Sequence, residues 1–167
     1  MNDILKALAY AIEMEKQGEY FYKTNMDRVK STKAKSIFQR LALMEKDHQK
    51  LLLKQFDELK QGKNWIDILK FKENEVDMFG AREELEHIPQ SEYESELGDI
   101  SIIRMAYLLE NDLAEYYAKA VENTGDPMGK EMFLTLSKWE IEHRDMLYKE
   151  YKELMERNWF EMGYSPF

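Results

Sequence analysis

The 167-residue sequence contains no cysteine, seven glycines and three prolines. The lack of cysteine excludes disulfides, thiolate zinc sites, iron–sulfur clusters and a cysteine nucleophile, so any bound metal must be held by oxygen and imidazole ligands. Glycine and proline, which interrupt helices, are scarce, whereas alanine, leucine, methionine, glutamate and lysine are abundant. This composition predicts an all-α protein.

Basic residues are fewer than acidic ones: the sequence has 24 Lys and Arg and 33 Asp and Glu, which gives a net charge of −9. A negative protein repels phosphate backbones and anionic lipid headgroups, so we expect neither nucleic acid nor a membrane as a partner. No apolar run reaches transmembrane length, and the N-terminal stretch mixes charged and apolar residues, unlike a signal peptide. We therefore expect a cytoplasmic protein.

Four segments carry core-forming residues at heptad spacing, which predicts amphipathic helices over 3–27, 33–60, 100–123 and 127–156. The third segment has Asp99 as its predicted N-cap, and the fourth has Asp126 as N-cap with a proline at the first helical position. The stripe of the first segment reads Ile4, Leu8, Ala11, Glu15, Gly18 and Tyr22, and that of the fourth reads Phe133, Leu136, Glu140, His143, Leu147 and Leu154.

The two halves of the chain repeat each other at a constant offset of 95 residues. Glu15 matches Glu110, Phe38 matches Phe133, and the register holds across two helices and their turn without a gap. Such a match predicts a duplicated helical hairpin. The short turns make the two helices of each hairpin antiparallel neighbours.

We expect one domain over residues 1–167, because the chain has the length of a single domain. It divides into a first hairpin (1–61), a connector (62–98), a second hairpin (99–156) and an aromatic tail (157–167). The connector is too long for a turn and too short for a domain, so it suits a crossover along the bundle. Its apolar residues are expected to cover the bundle surface: Trp65, Ile66, Ile68, Leu69 and Phe71.

Each predicted helix carries a glutamate where its apolar stripe should continue, and two helices add a histidine three residues later. Side chains three apart lie about 60° and about 4.5 Å of rise from each other on a helix, so each Glu-x-x-His pair can reach one object. Folding would gather six polar side chains at one level of the core: Glu15, Glu45, His48, Glu110, Glu140 and His143.

Four buried carboxylates need compensation, because an unpaired buried charge costs several kcal/mol. The stripes offer no basic residue near the acids, whereas two divalent cations would balance four carboxylates and two neutral imidazoles would complete the ligand set. Six ligands shared by two metals leave positions open for oxygen or peroxide. The alternative is that these residues lie at the surface or are polar residues that fix the helix register.

These motifs resemble those of the ferritin-like di-iron carboxylate superfamily, and most closely those of the erythrin domain of the rubrerythrins. One family motif is a glutamate followed by a small residue at three positions and a tyrosine at seven, and the other is Glu-x-x-His. The chain matches them in order with Glu15, Gly18 and Tyr22; Glu45 and His48; Glu110 and Tyr117; Glu140 and His143. The resemblance implies a ferritin-like antiparallel four-helix bundle with a long crossover between its second and third helices.

The resemblance also implies a redox enzyme that reduces hydrogen peroxide or dioxygen at two iron ions, with manganese or mixed occupancy as a variant. Tyr22 and Tyr117 would donate hydrogen bonds to the carboxylates across the site, unless they are ordinary core tyrosines. Rubrerythrin peroxidases usually carry a further carboxylate where this chain has Leu113, which brings its ligand set closer to that of bacterioferritins.

Rubrerythrins also carry a cysteine-ligated rubredoxin domain, and the sequence has no cysteine. We therefore expect an external electron donor, such as a rubredoxin, and a homodimer. Two other functions stay open from the sequence: a ferroxidase or iron-storage subunit that assembles into a cage, and a bundle that binds metal without catalysis.

Overall fold

The computed structural model describes residues 2–69 and 97–161, which form four α-helices and, within those ranges, no strand. The helices are α1 (Asn2–Asn25), α2 (Thr32–Lys60), α3 (Leu97–Asn123) and α4 (Pro127–Glu161). Helix α1 packs along α2 and α3 along α4, while contacts of α1 with α3 and of α2 with α4 join the two hairpins. The predicted all-α four-helix bundle is confirmed.

The ends of the helices follow local capping signals. Ser31 caps α2, and its side chain accepts a hydrogen bond from the backbone N–H of Ala34 at 3.2 Å. Asp126 caps α4 as predicted, because its carboxylate accepts from the N–H groups of Met128 and Gly129 at 2.8 and 3.2 Å. Helix α4 continues to residue 161, so the first part of the predicted aromatic tail is helical.

The predicted role of Asp99 as an N-cap is wrong, because α3 already begins at Leu97. Its buried carboxylate instead accepts hydrogen bonds from the backbone N–H groups of Lys30 and Ser31, at 2.8 and 2.7 Å. These two N–H groups lie just before α2, where no helical carbonyl can accept them. Asp99 therefore ties the second hairpin to the turn of the first.

The described start of the connector packs on the bundle. Ile68 is buried, and Trp65 and Ile66 pack partly buried against the core. The N–H of Ile66 donates to the side-chain oxygen of Gln55 at 2.7 Å. Leu69 is exposed, contrary to the prediction, and Phe71 lies outside the described residues, as does most of the predicted crossover.

Two apolar clusters fill the bundle. The Phe38 cluster joins the end of α1, the start of α2, the start of α3 and the end of α4, and its members include Tyr22, Phe38, Leu41, Ile103, Ala106, Leu147 and Leu154. The Phe133 cluster joins the opposite helix ends, with Leu8, Ala11, Leu52, Leu113, Tyr117, Phe133 and Leu136 among its members. The six polar stripe residues come from the middle of the helices, between these clusters.

Replacement of Asp99 tests the link between the hairpins. We expect Asp99→Ala to lower the free energy of unfolding by about 3 kcal/mol, because it leaves the buried N–H of Ser31 and the partly buried N–H of Lys30 without a charged acceptor. Asp99→Asn, which keeps one acceptor oxygen, should lose less. Asp126→Ala, which removes only the α4 N-cap, should cost about 1 kcal/mol. Urea unfolding of metal-free protein measures these changes, and equal losses for Asp99→Ala and Asp126→Ala would contradict the assignment.

Candidate metal centre

The six polar side chains predicted from the stripes meet in one layer of the bundle. The four glutamates and His143 have no solvent-exposed surface, and His48 is 1% exposed. Each helix supplies one glutamate, and α2 and α4 each add a histidine. The structure thus brings together at one level of the core the six residues that the sequence predicted there: Glu15, Glu45, His48, Glu110, Glu140 and His143.

Their potential ligand atoms form two groups, in each of which all the atoms lie within 4.8 Å of one another. One group consists of Glu15, His48 and Glu140, and the other of Glu45, Glu110, Glu140 and His143. Glu140 therefore belongs to both groups, whereas its repeat partner Glu45 belongs to one. The repeat predicts equal roles for these two glutamates, whereas the distances place only Glu140 in both groups.

Both histidines direct the Nδ1 atom toward the carboxylates. The Nδ1 of His48 lies 3.4 Å from Glu15 Oε2 and 3.1 Å from Glu140 Oε1. The Nδ1 of His143 lies 3.2 Å from Glu140 Oε2 and 3.5 Å from Glu45 Oε1. Glu140 thus contacts both imidazoles, one with each oxygen.

Two tyrosines reach across the layer from one half of the chain to the other. The Tyr22 hydroxyl donates to Glu110 Oε1, and the Tyr117 hydroxyl donates to Glu15 Oε1. Burial, together with the negative charge of the accepting carboxylate, raises the pKa of each phenol well above its usual value. Both phenols therefore stay protonated and act as donors near neutral pH.

Gly18 marks a close approach of α1 to the layer. A Cβ atom at this position would lie 3.0 Å from Glu45 Oε2 and 3.3 Å from its Cγ. A side chain at this position would therefore crowd Glu45, which accounts for the small residue of the motif. Its repeat counterpart is Leu113, which is buried in the Phe133 cluster. The space beside Glu45 is therefore specific to the first half.

Burial and mutual repulsion dominate the electrostatics of the metal-free layer. Burial first, and then the charges of Glu110, Glu140 and Glu15, raise the pKa of Glu45 well above its usual value. Burial also raises the pKa of Glu110, to about 8, although His143 opposes it.

Glu140 behaves in the opposite way. Burial would raise its pKa, but the charges of His48 and His143 outweigh burial and lower it. Burial would likewise lower the pKa values of the two histidines, and the neighbouring carboxylates raise both of them. Without metal, protons held on the imidazoles and on part of the carboxylates keep the layer from carrying four uncompensated charges.

The donor set of the layer fits divalent cations. Among the described residues, both oxygens of Glu45 and one oxygen each of Glu15, Glu110 and Glu140 are buried without a hydrogen-bond partner. Buried polar atoms in folded proteins are normally satisfied, so these five oxygens indicate a missing partner of positive charge. Carboxylate and imidazole donors suit iron and manganese.

Stability of the metal-free protein should decrease with rising pH. The folded state keeps a proton on Glu110 up to about pH 8, whereas the unfolded chain loses it near the ordinary glutamate pKa. The stabilising contribution of this proton to folding is therefore lost as the pH rises through about 8. The raised pKa values of both histidines act in the same direction. Thermal unfolding of chelator-treated protein from about pH 6 to about pH 9 measures the decrease. A slope that Glu110→Gln leaves unchanged would contradict this assignment.

Within residues 2–69 and 97–161, no helix combines the length and apolar character needed to cross a membrane.

A comparison with curated protein sequences gives no match. The structure resembles a solved structure described as "Hypothetical Protein Pfu-1136390-001 From Pyrococcus furiosus", with a TM-score of 0.68 and 25% sequence identity over 95% of this chain and 94% of that chain. The sequence profile of the rubrerythrin family matches residues 6–151, and the chain therefore belongs to the rubrerythrin family.

Proposed function

We propose that the protein reduces hydrogen peroxide or dioxygen at two iron ions bound in the polar layer. The observation that carries this proposal is the set of four fully buried glutamates, five of whose oxygens lack hydrogen-bond partners among the described residues. Two divalent cations would neutralise these charges, and the rubrerythrin family supports iron. Manganese or mixed occupancy is the variant that the same donors allow.

The geometry supports one assignment of the ligands. Glu15 and His48 would bind one ion, Glu45, Glu110 and His143 the other, and Glu140 would bind both. This assignment follows the two groups of atoms within 4.8 Å. The Nδ1 atoms would be the donor atoms of the histidines, because they face the carboxylates in both groups.

The burial of the layer favours a very small oxidant. None of the four glutamates has exposed surface, and the apolar Phe38 and Phe133 clusters lie toward the two bundle ends. An organic substrate would have to displace these side chains, whereas peroxide and dioxygen are little larger than water. The same burial excludes bulk water from the site and strengthens the electrostatic interactions within it.

When bound, a pair of ferrous ions supplies the two electrons that, with two protons, convert hydrogen peroxide into two water molecules. The protein's own residues prepare the site for this chemistry. Tyr22 and Tyr117 keep their protons and hold one oxygen of Glu110 and Glu15, which leaves the second oxygen of each glutamate for the metal. Hydrogen bonds of this kind orient metal ligands and tune their basicity.

Leu113 favours dioxygen reduction as a second candidate. It is 1% exposed and lies in the Phe133 cluster, at the position where rubrerythrin peroxidases carry an extra carboxylate. The chain then has six metal ligands, as a bacterioferritin-type oxidase does. We expect a homodimer that takes electrons from an external donor such as a rubredoxin, and the mass in solution separates a dimer from an iron-storage cage.

Glutamate-to-glutamine variants should distinguish the shared ligand from an unshared one. We expect about two iron ions per chain in the wild type, about one in Glu45→Gln, and less than one in Glu140→Gln, because Glu140 belongs to both groups of ligand atoms. Iron analysis of each purified, iron-loaded variant measures these ratios.

Glu142→Gln is the matched control, since Glu142 is exposed and lies on the same helix two residues after Glu140. It should retain the wild-type iron content. Full occupancy in Glu45→Gln or Glu140→Gln would refute the assignment of that residue, and equal losses in both would refute the inequality between them.

The choice of oxidant can be measured directly. Mixing the anaerobic ferrous protein with stoichiometric hydrogen peroxide should produce the near-ultraviolet ferric absorption faster than mixing with air. Equal or faster oxidation by air would favour the oxidase instead. Steady turnover should need an added donor such as a rubredoxin, because the chain has no cysteine for an iron–sulfur relay. Efficient turnover by the purified protein with NADH alone would contradict this account.

A further inference from the structure

Three aromatic rings lie nearly parallel at the polar layer. The indole of Trp139 stacks on the imidazole of His48, with centroids 5.1 Å apart and planes inclined by 11°. His48 also stacks on His143, at 5.5 Å and 6°. Trp139 is 7% exposed and belongs to the Phe133 cluster, so the apolar core holds the indole in place. Trp139 immediately precedes Glu140, but it offers no metal-binding atom.

The repeat shows that this tryptophan is an addition to the common ligand pattern. At the offset of 95 residues, the counterpart of Trp139 is Met44, whereas the glutamates and histidines themselves are the same in both halves. The ligand pattern therefore does not require an aromatic residue at this position. The large aromatic side chain of Trp139 therefore indicates a contact specific to the second half, namely the stack on His48.

An imidazole that binds metal must be held in one plane, because rotation about its bond to Cβ turns the donor atom away. Metal-binding histidines are usually fixed by a hydrogen bond from the second ring nitrogen. In the described part of the chain, the Nε2 of His143 is buried without such a partner. Stacking on His48 therefore adds to the contact of Nδ1 with Glu140 and takes the place of a second hydrogen bond in fixing the plane of the His143 ring.

We infer that Trp139 is a positioning residue, whose indole holds the His48 ring and, through it, the His143 ring in the planes that direct both Nδ1 atoms toward the carboxylates. The inference rests on the proposed function, because metal is what these ordered imidazoles would bind. Offset stacking of aromatic rings is favourable and geometrically selective. It can therefore fix a ring plane where a hydrogen bond is absent.

The stack itself can be tested without metal. Protons of an imidazole that stacks on an indole resonate upfield, and the chain has three histidines, so their ring signals are few. His48→Gln assigns the His48 signals in the metal-free protein. We expect Trp139→Met, which copies the residue of the other half, to move the His48 signals downfield, and Trp139→Phe to retain much of the upfield shift. Unchanged His48 signals in Trp139→Met would overturn the stack.

Cobalt titration of the metal-free protein tests the effect on metal binding. The absorption bands of bound Co²⁺ report its coordination, and the wild type should take up about two ions per chain. Loss of a residue that orients a metal ligand typically weakens binding 10–100-fold, so we expect Trp139→Met to lower Co²⁺ affinity about 10-fold and to alter the cobalt spectrum. Trp139→Phe should retain most of the Co²⁺ affinity and a cobalt spectrum close to that of the wild type.

Trp65→Met is the matched control, because Trp65 packs against the same Phe133 cluster and stacks edge-on against Phe133 rather than on a histidine. It should lower the melting temperature but leave the Co²⁺ affinity and spectrum unchanged. Equal losses of Co²⁺ affinity in Trp65→Met and Trp139→Met would show that the effect arises from general packing, and would overturn the inference. Wild-type cobalt affinity in Trp139→Met would also overturn it.

A wild-type chain that binds fewer than two cobalt ions would contradict the two-metal proposal rather than the stack. The imidazole signals of the metal-free variants would then decide the inference. Movement of the His143 signals in Trp139→Met and their wild-type position in Trp139→Phe would support the positioning of the rings, because the indole stacks on His48 and not on His143. Unmoved His143 signals in Trp139→Met would refute it.

Discussion

The burial of four carboxylates at one level of the core is the constraint on which the rest of the structure depends. Each glutamate is fully buried, and the charges that act most strongly on Glu45 are those of the other three. Such a layer is tolerated only if protons, hydrogen-bond donors or cations offset its charge. The tyrosine donors and the histidines meet part of this requirement, and a bound cation would meet the rest.

Much of the fold and the composition of the layer could be predicted, because both depend on periodicity along single helices. Glu45 and His48 face the core for the same reason as Leu41 and Leu52, which share their stripe. Asp99 was predicted wrongly because its sequence context is that of an N-cap. Its actual partners are the N–H groups of Lys30 and Ser31, about 70 residues away along the chain. A local sequence pattern cannot identify partners that are so distant in the chain.

The inequality of the two halves could not be predicted, because it depends on how neighbouring helices are rotated and spaced. Gly18 and Leu113 occupy equivalent positions, yet the structure shows the contact of Gly18 with Glu45 that a Cβ would crowd. The membership of Glu140 in both groups of potential ligand atoms and the stacking of Trp139 on His48 likewise arise between helices. The sequence contained two usable signals, namely the difference between Gly18 and Leu113 and the difference between Met44 and Trp139 at equivalent positions of the repeat.

The crossed tyrosines make each half of the chain incomplete without the other. Tyr22 of the first hairpin donates to Glu110 of the second, and Tyr117 of the second donates to Glu15 of the first. An ancestral single hairpin could therefore have obtained the same tyrosine donor by pairing with an identical copy. Fusion of two such copies would have preserved the exchange of donors within one chain, and it would have freed each half to acquire substitutions that a symmetric dimer must carry twice.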